Sequence, residues 1–568
     1  MIDVVFVVPS TEALLNEEFG GTLLLATILK QNGISVDIHR FYEVDKQNGF
    51  FPFVNETAEI LLQKQPKIVS FYCRCDCFLA DVMIAKRLKE QNSDLFIVLG
   101  GPQVDASAND ILAEIPWIDF CCSGEGETTV YPLFSALLNG TDYSKVAGLT
   151  YRRNGEIKRN PSAELLPDLD LLPNIDYSLI PTSVVENTKR RKKSASIEAG
   201  RGCPFNCAYC SSSLFWSRKF RLKSAQRIVD EMIDLNSKLG ISRFQFQHDL
   251  FTANKRKLME FVDELKKENV DFKWACSART DTIDEQTIAA MNEVGLRSIF
   301  LGIESGSERI QKCINKHLKL SEIKSLVRCL KNHKIVVTAS FIYGFPEETE
   351  EDLEDTLQLA FALHEMGVDN TQFHSCVIFP GTEYYKRYAD QLVLSEKQSN
   401  IVGDFGVADN QEFIKAHQKL FAFSYEYPTQ LRKKYQGLED YYNQVFALYS
   451  EFVRLLPDKF KDKKLTELMF EILELYRQYP DTTNVYMIGQ EYVKRYIAGS
   501  LQDKLIYAFR YYSDSFQRSK DPEFVEDTQI YPINITDLLN KKTLEEIGDE
   551  ESVVIFHKSD KTIQTFVC

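Results

Sequence analysis

The stretch that decides the fold is Gly202-Cys203-Pro204-Phe205-Asn206-Cys207-Ala208-Tyr209-Cys210, which closely follows the apolar strand pattern SASIEAG. Three cysteines fall within eight residues, on a loop that also contains glycine and proline. This spacing lets three thiolates wrap one face of a soft iron–sulfur cluster. A [4Fe–4S] cube has four irons, so one iron is left without a protein ligand. That iron can bind the amino and carboxylate groups of a cosubstrate, and an electron passed through it can cleave a sulfonium C–S bond.

Two other interpretations of these cysteines are a zinc site and inert structural thiols. Zinc sites usually pair two knuckles of the CxxC type to complete four ligands. The later cysteines stand singly, at Cys276, Cys313, Cys329 and Cys376. The clustered spacing at a strand end therefore favours the iron–sulfur cluster. A non-catalytic iron–sulfur or zinc protein that acts in regulation or binding remains the alternative from another functional class.

Residues 193–395, which surround the cysteines, alternate short apolar strands with helical patterns. The predicted strands are SASIEAG, RFQFQHD, FKWACSAR, SIFLGIES, IVVTASFIYG and TQFHSCVIF. Six strand–helix units are too few for a closed eight-stranded barrel. The pattern predicts a partial (βα)6 barrel with its chemistry at the carboxyl ends of the strands.

The preceding residues, 1–145, predict a separate α/β domain. Continuous Val, Ile, Leu and Phe strands separated by amphipathic helices are typical of a doubly wound, Rossmann-like parallel sheet. Ligands of such sheets lie at the carboxyl ends of the strands. Those ends carry Ser10, Cys73-Arg74, Gly100-Gly101-Pro102 and Gly124-Glu125-Gly126-Glu127.

Two further regions complete the chain. Residues 146–192 are turn-rich and predict a linker with a small hairpin around Asn154-Gly155. Residues 396–568 are rich in helix formers and predict a mostly helical domain that ends in the hairpin SVVIFHKSDKTIQTFV. We expect this last domain, which carries no chemical motif, to cover the barrel mouth.

The composition of the chain limits which binding partners and which cellular location we expect for the protein. The formal net charge is -15, with 82 acidic and 67 basic residues, which disfavours nucleic acid as a main partner. No stretch approaches the ~20 apolar residues that span a bilayer, and the first strand has no basic segment before it. The 13 cysteines, an odd number, indicate reduced thiols and a metal site. We therefore expect a cytoplasmic protein without a membrane partner.

The sequence resembles the radical S-adenosylmethionine (SAM) superfamily, whose signature is CxxxCxxC after the first barrel strand. Further matching motifs follow in order, at Gln247-His248-Asp249, Gly302-Ile303-Glu304-Ser305-Gly306, Tyr343-Gly344-Phe345-Pro346-Glu347-Glu348-Thr349 and Phe379-Pro380-Gly381-Thr382. The resemblance implies that Cys203, Cys207 and Cys210 bind a [4Fe–4S] cluster. It also implies SAM contacts at Tyr209, Gln247, Asp249, Glu304, Ser305 and Gly344. Arg279 is added because its guanidinium suits a carboxylate.

The first domain resembles the cobalamin-binding domain that precedes many radical SAM barrels. The resemblance rests on Gly100-Gly101-Pro102 and on Gly124-Glu125-Gly126-Glu127-Thr128. It implies cobalamin contacts at Ser10, Cys73, Arg74, Gly100, Gly101, Pro102, Gly124, Glu125, Gly126 and Glu127. The alternative is a Rossmann-like domain that binds no cobalamin and only supports the barrel.

The surroundings of cobalt can also be predicted. Asp37-Ile38-His39 begins the Asp-x-His-x-x-Gly pattern of a cobalt-ligating histidine, but Tyr42 stands where glycine is needed. We interpret His39 as a surface or loop residue, which predicts cobalamin with no histidine beneath the metal. In Cys73-Arg74-Cys75-Asp76-Cys77, Arg74 or one cysteine is hypothesised to lie near the lower face of cobalt. The alternative is ordinary packed thiols.

The resemblance implies a reaction. SAM is cleaved to a 5'-deoxyadenosyl radical, which removes hydrogen from the substrate. Methylcobalamin then methylates a carbon of a metabolite or peptide, and a flavodoxin or ferredoxin supplies electrons. The alternative within the superfamily is rearrangement, cyclisation or oxidation without methyl transfer. His248 and His374 are interpreted as polar barrel residues, since position alone does not supply acid–base geometry.

Overall fold

The structure, a computed structural model, describes residues 2–479, 484–497, 502–520, 526–540, 543–559 and 562–567. The first domain consists of β1 (Val4–Val8), α1 (Gly20–Gln31), β2 (Val36–Arg40), α2 (Phe50–Gln63), β3 (Ile68–Tyr72), α3 (Phe78–Gln91), β4 (Phe96–Gly100), α4 (Pro102–Glu114), β5 (Phe120–Cys122), α5 (Val130–Asn139), β6 (Leu149–Arg153), β7 (Glu156–Arg159) and α6 (Thr182–Arg190).

These strands form one seven-stranded sheet in the order β2-β1-β3-β4-β5-β6-β7. The first five strands are parallel, and β1 is fully buried because helices cover both faces of the sheet. The predicted doubly wound sheet is confirmed. The hairpin expected within the linker instead extends this sheet, because β6 pairs antiparallel with β5.

The second domain consists of β8 (Ala195–Glu198), β9 (Gly200–Arg201), α7 (Ser212–Phe215), β10 (Arg221–Leu222), α8 (Ala225–Leu239), β11 (Arg243–Gln247), α9 (Lys255–Glu268), β12 (Lys273–Ala278), α10 (Glu285–Glu293), β13 (Leu296–Glu304), α11 (Glu308–Cys313), α12 (Leu320–Asn332), β14 (Val336–Tyr343), α13 (Glu350–Glu365), β15 (Asn370–Ser375), α14 (Glu383–Tyr388) and β16 (Val393–Leu394). Six parallel strands lie in the order β15-β14-β13-β12-β11-β8. They follow chain order, so each strand–helix unit lies beside the next, and the predicted partial (βα)6 barrel is confirmed.

The remaining elements are α15 (Gln411–Ala416), β17 (Tyr425–Glu426), α16 (Gln430–Lys434), α17 (Leu438–Leu455), α18 (Pro457–Phe460), α19 (Leu465–Gln478), α20 (Val485–Tyr496), α21 (Gln502–Lys520), β18 (Glu526–Tyr531), α22 (Ile535–Leu539), β19 (Ser552–Ser559) and β20 (Thr562–Val567). The expected terminal hairpin is β19–β20, and β18 adds a third strand that the sequence did not predict. No helix within the described ranges is long and apolar enough to cross a membrane.

The C-terminal region holds the two α/β domains together from the side. The Tyr442 hydroxyl donates to the backbone of Thr371 at the β15 edge of the barrel. Phe405 packs against Phe50 and Phe53 of α2, with ring centroids 5.3 Å apart in both pairs. Arg432 of α16 also donates to the Cys376 carbonyl, directly after β15, and the expectation that this region covers the barrel mouth stays a prediction.

Gly406 and Gly403 offer a matched test of this packing. Both have positive φ, but an added Cβ would lie 2.2 Å from the Phe50 ring at Gly406 and would meet nothing at Gly403. We expect Gly406→Ala to lower the free energy of unfolding in urea by about 1–3 kcal/mol more than Gly403→Ala, because the added methyl overpacks a filled site. Equal losses in the two variants would contradict the described contact.

Candidate functional site

A cavity of about 940 Å³ separates the carboxyl ends of the two sheets. The first domain contributes Phe19, Tyr72, Cys122 and the N-terminus of α1. The barrel contributes Ser196, Gln245, Gln247 and Ser277, and Ser211 and Ser212 directly follow the last cysteine of the loop. The cavity therefore lies where both sheets are expected to bind ligands.

The three-cysteine loop runs between β9 and β10 and borders this cavity. Cys203, Cys207 and Cys210 are each partly exposed. Asp249, at the end of β11, fixes the loop, because its carboxylate accepts hydrogen bonds from the Gly202 amide (3.2 Å) and the Ser212 hydroxyl (2.5 Å). Among the described residues, no three His, Cys, Asp or Glu side chains converge on the position of a single metal ion. A four-iron cube does not require such a point, because each thiolate binds a different iron.

The surroundings of the loop suit a bound anion. Burial raises the pKa of all three thiols, that of Cys210 to about 11, while Lys316 and Arg279 oppose the shift at Cys207. Arg279 is buried and lies 3.7 Å above the Phe205 ring. Its Nη1 has no hydrogen-bond acceptor among the described residues. Nearby cations favour thiolate ligands, and the orphaned donor offers a place for a carboxylate, so these residues fit a thiolate-bound cluster with SAM.

Three hydrogen-bonded side chains link the loop to the end of β13. Lys316 donates to Glu304 Oε1 (2.6 Å), and the Tyr209 hydroxyl donates to the same oxygen (3.0 Å). Glu304 has a φ of +68°, and the pairing of β13 with β14 is irregular just before it. The bulge turns this carboxylate toward the loop, since an extra residue re-aims a side chain.

The other predicted SAM contacts fall into two groups. Gln247 and Asp249 line the cavity, and Gln247 donates to Ser196 Oγ (3.1 Å). Ser305 and Gly344 lie outside the described cavity wall. The Ser305 hydroxyl is within 3.0 Å of the Thr356 hydroxyl, and the Gly344 amide donates to Glu348. In this structure both residues shape the backbone at strand ends.

Eight of the ten predicted cobalamin contacts line the cavity: Arg74, Gly100, Gly101, Pro102, Gly124, Glu125, Gly126 and Glu127. At Gly101, φ is +99° and an added Cβ would lie 2.8 Å from the Cys73 carbonyl oxygen, so only glycine fits there. Ser10 and Cys73 lie outside the described wall. The Ser10 hydroxyl donates to the Glu17 carbonyl, and Cys73 is fully buried.

Arg201 is a residue of the site that no sequence motif reveals. This buried arginine lies two residues before Cys203 and donates to Glu125 (2.6 Å), Glu127 (2.5 Å) and Glu198 (2.8 Å). Burial opposes ionisation of Glu125, but hydrogen bonds from Arg221 and Arg201 lower its pKa. Both glutamates therefore form ion pairs with a residue of the barrel. No local signal in the sequence links them to an arginine more than 70 positions later.

The loop after β3 agrees only in part with the predicted cobalamin contacts at Cys73 and Arg74. Arg74 lines the cavity, with its guanidinium 5.0 Å from the Phe19 ring centroid and paired with Asp76. Cys73 and Cys77 instead turn into the core around Asp81, and the Cys77 thiol donates to that carboxylate (3.2 Å). The structure thus separates Arg74 from the two buried thiols.

The prediction that His39 is a surface or loop residue is wrong. It is fully buried in β2, not at the surface, because helices cover that edge of the sheet. Its Nδ1 lies 3.1 Å from Glu43 Oε2, and it is absent from the described cavity wall. Its neighbours therefore fix it within the domain core.

This geometry defines a class: an enzyme with a partial barrel, a three-cysteine cluster loop and a ligand cavity facing a Rossmann-like domain. The family model of the radical SAM superfamily matches residues 197–360. An uncharacterized methyltransferase of Pyrococcus horikoshii is 30% identical over 407 residues, which cover 70% of this chain and 85% of that protein. The chain belongs to the radical SAM superfamily, which confirms the predicted class of enzyme and its use of SAM and a [4Fe–4S] cluster.

Two further comparisons extend the likeness. An anaerobic magnesium-protoporphyrin IX monomethyl ester cyclase of Rubrivivax gelatinosus is 31% identical over 278 residues, covering 48% of this chain and 50% of the cyclase. The structure of the cobalamin-dependent SAM radical enzyme OxsB, with aqua-cobalamin and SAM bound, aligns with a TM-score of 0.60. That alignment covers 91% of this chain and 80% of OxsB at 15% identity, so it supports the fold over nearly the whole chain.

Asp81 generates a pH prediction. Burial raises its pKa to about 8, so the folded protein holds a proton that the unfolded chain releases near pH 4. The stabilisation that this retained proton contributes is fully present below about pH 4 and is lost as pH rises through about 8. We expect Asp81→Asn to flatten the fall in unfolding free energy between these values, measured by urea denaturation at a series of pH values. Glu90→Gln, on the exposed face of the same helix, is the control. Parallel curves for all three proteins would refute the assignment.

Proposed function

We propose that the protein is a cobalamin-dependent radical SAM enzyme that methylates a carbon atom of a small molecule or peptide. The main support is that one cavity joins the strand ends of the first domain to the cluster loop of the barrel. The methyltransferase name of the Pyrococcus relative and the cobalamin of OxsB support the same proposal. The bound cofactors would supply the 5'-deoxyadenosyl radical and the methyl group.

The residues of this chain would bind and orient. Cys203, Cys207 and Cys210 would hold three corners of the cluster, and Asp249 keeps their loop in place. The free Nη1 of Arg279 would donate to the SAM carboxylate. Asp281 and the Lys316 carbonyl hold the rest of the guanidinium in place, which limits the side-chain entropy that would be lost on binding.

The first domain would hold cobalamin on a floor of glycines. Gly100, Gly101, Gly124 and Gly126 line the wall of the cavity. Glycines let the backbone approach a bulky ligand closely. Arg74 is the charged side chain of the β3 loop that reaches this wall, so we place it near the lower face of cobalt.

Substrate and electron donor complete the proposal. The substrate would enter the barrel mouth beside Gln245, Gln247 and Ser277, whose neutral polar side chains can hydrogen-bond it. A flavodoxin or ferredoxin would reduce the cluster. Neither nucleic acid nor a membrane is expected as a partner. A cytoplasmic location would keep the cysteines reduced.

A second candidate is cyclisation without methyl transfer. The observation that favours it is the Rubrivivax cyclase, whose similarity covers about half of each chain. Incubation with methyl-labelled SAM separates the two candidates, since only a methyltransferase moves the label into product. Cobalamin content after reconstitution tests the cofactor directly.

Cys207 gives a direct test of the cluster. We expect Cys207→Ala to abolish reductive cleavage of SAM to 5'-deoxyadenosine, because two thiolates cannot hold the cube with one open iron. Cys329→Ala, a substitution of a half-buried thiol on α12, is the control and should retain cleavage. The measurement is 5'-deoxyadenosine formed by anaerobically reconstituted protein under dithionite. Retained cleavage in Cys207→Ala would dismiss the proposal.

Arg74 and Cys73 form a second matched pair. We expect Arg74→Ala to change the ultraviolet–visible and EPR spectra of bound cobalamin, because Arg74 lines the cavity. Cys73→Ala should leave those spectra as in the wild type, since that thiol is buried away from the wall. Spectra of Arg74→Ala identical to wild type would remove Arg74 from the cobalt environment.

A further inference from the structure

The two ends of the cluster loop meet in a short ladder. β9 precedes the loop and β10 follows it, and in their antiparallel pairing Arg201 lies directly opposite Arg221. The base of the loop is tight, because a Cβ on Gly202 would lie 2.3 Å from the Lys219 carbonyl oxygen. The position of the three cysteines therefore depends on the stability of this pairing.

The ladder places two like charges opposite each other, an arrangement that destabilises a strand pair. The side chains are 3% and 10% exposed, so solvent screens them little. Within the barrel, the carboxylate of Glu198 offsets the positive charge of Arg201. Two carboxylates from the first domain join them, so that three carboxylates face the two guanidiniums. Glu125 lies between the arginines, 2.6 Å from Arg201 Nη1 and 3.0 Å from Arg221 Nη2, and Glu127 pairs with Arg201.

An aromatic ring from the loop itself joins this cluster of charges. Trp216 has its ring centroid 5.6 Å from the Arg201 guanidinium and 5.7 Å from that of Arg221. Contacts of this kind stabilise cations when solvent is excluded. The arginines are thus linked both to the loop and to the other domain.

We propose that Glu125, Glu127, Arg201 and Arg221 form an interdomain latch that fixes the cluster loop when the first domain is docked. Arg201 and Arg221 are positioning residues, since they act through the loop rather than on substrate. The latch explains why two glutamates at the end of β5 contact the barrel. It rests on the proposed function only in that Cys203, Cys207 and Cys210 hold the cluster.

The test compares the latch with a matched buried ion pair. Glu125→Gln and Glu127→Gln remove one latch charge each with little change of shape. Glu18→Gln is the control, because Glu18 and Arg40 form an equally buried two-point pair within the first domain alone. Two quantities are measured: the rate at which a ferrous chelator removes iron from the reconstituted protein, and amide hydrogen exchange of residues 202–219 in cluster-free protein.

We expect Glu125→Gln to lose iron at least about tenfold faster than Glu18→Gln, because it leaves two buried guanidiniums short of a partner. Glu127→Gln should show a smaller increase in the rate of iron loss, because Glu125 and Glu198 still pair with Arg201. This variant replaces Glu125→Gln in the test if Glu125→Gln does not fold. Exchange in residues 202–219 should rise in both, with β1 still protected. Iron loss and exchange equal to the control would overturn the latch. Wild-type protein that takes up no iron would count against the proposed function alone, since the exchange measurement needs no cluster.

Discussion

The loop of three cysteines is constrained at both ends, and the rest of the site depends on that constraint. Asp249 holds the Gly202 amide at its start and Ser212 beyond its last cysteine. A cluster bound by three thiolates keeps one iron free only if the thiolates stay on one side of it. Fixing the loop ends in advance lowers the entropy that is lost when the cluster binds.

The domain arrangement follows from the same chemistry. Parallel sheets bind ligands at the carboxyl ends of their strands, and here two such edges face one cavity. Carboxylates of an acidic chain repel one another where they meet across such a junction. The buried guanidiniums of Arg201 and Arg221 instead make those carboxylates the contact between domains. Association of the domains and order in the cluster loop are therefore linked.

Features that depend on local pattern could be predicted from the sequence, and features that depend on distant pairing could not. The two parallel sheets follow from apolar strand runs, and the cluster cysteines from their spacing. The roles of Glu125 and Glu127 depend on an arginine that lies far along the chain, so they were predicted as ligand contacts only. His39 resembles a loop residue by sequence but is buried by helices that cover its strand. The strand β18, EDTQIY, is too polar to be recognised alone.

Mössbauer spectra of protein reconstituted with ⁵⁷Fe, recorded with and without SAM, test the central claim most directly. The account predicts a four-iron cluster in which one iron site changes its isomer shift when SAM is added, while the three thiolate-bound irons stay the same. A cluster of another iron content, or a four-iron cluster whose sites are all unchanged by SAM, would contradict it.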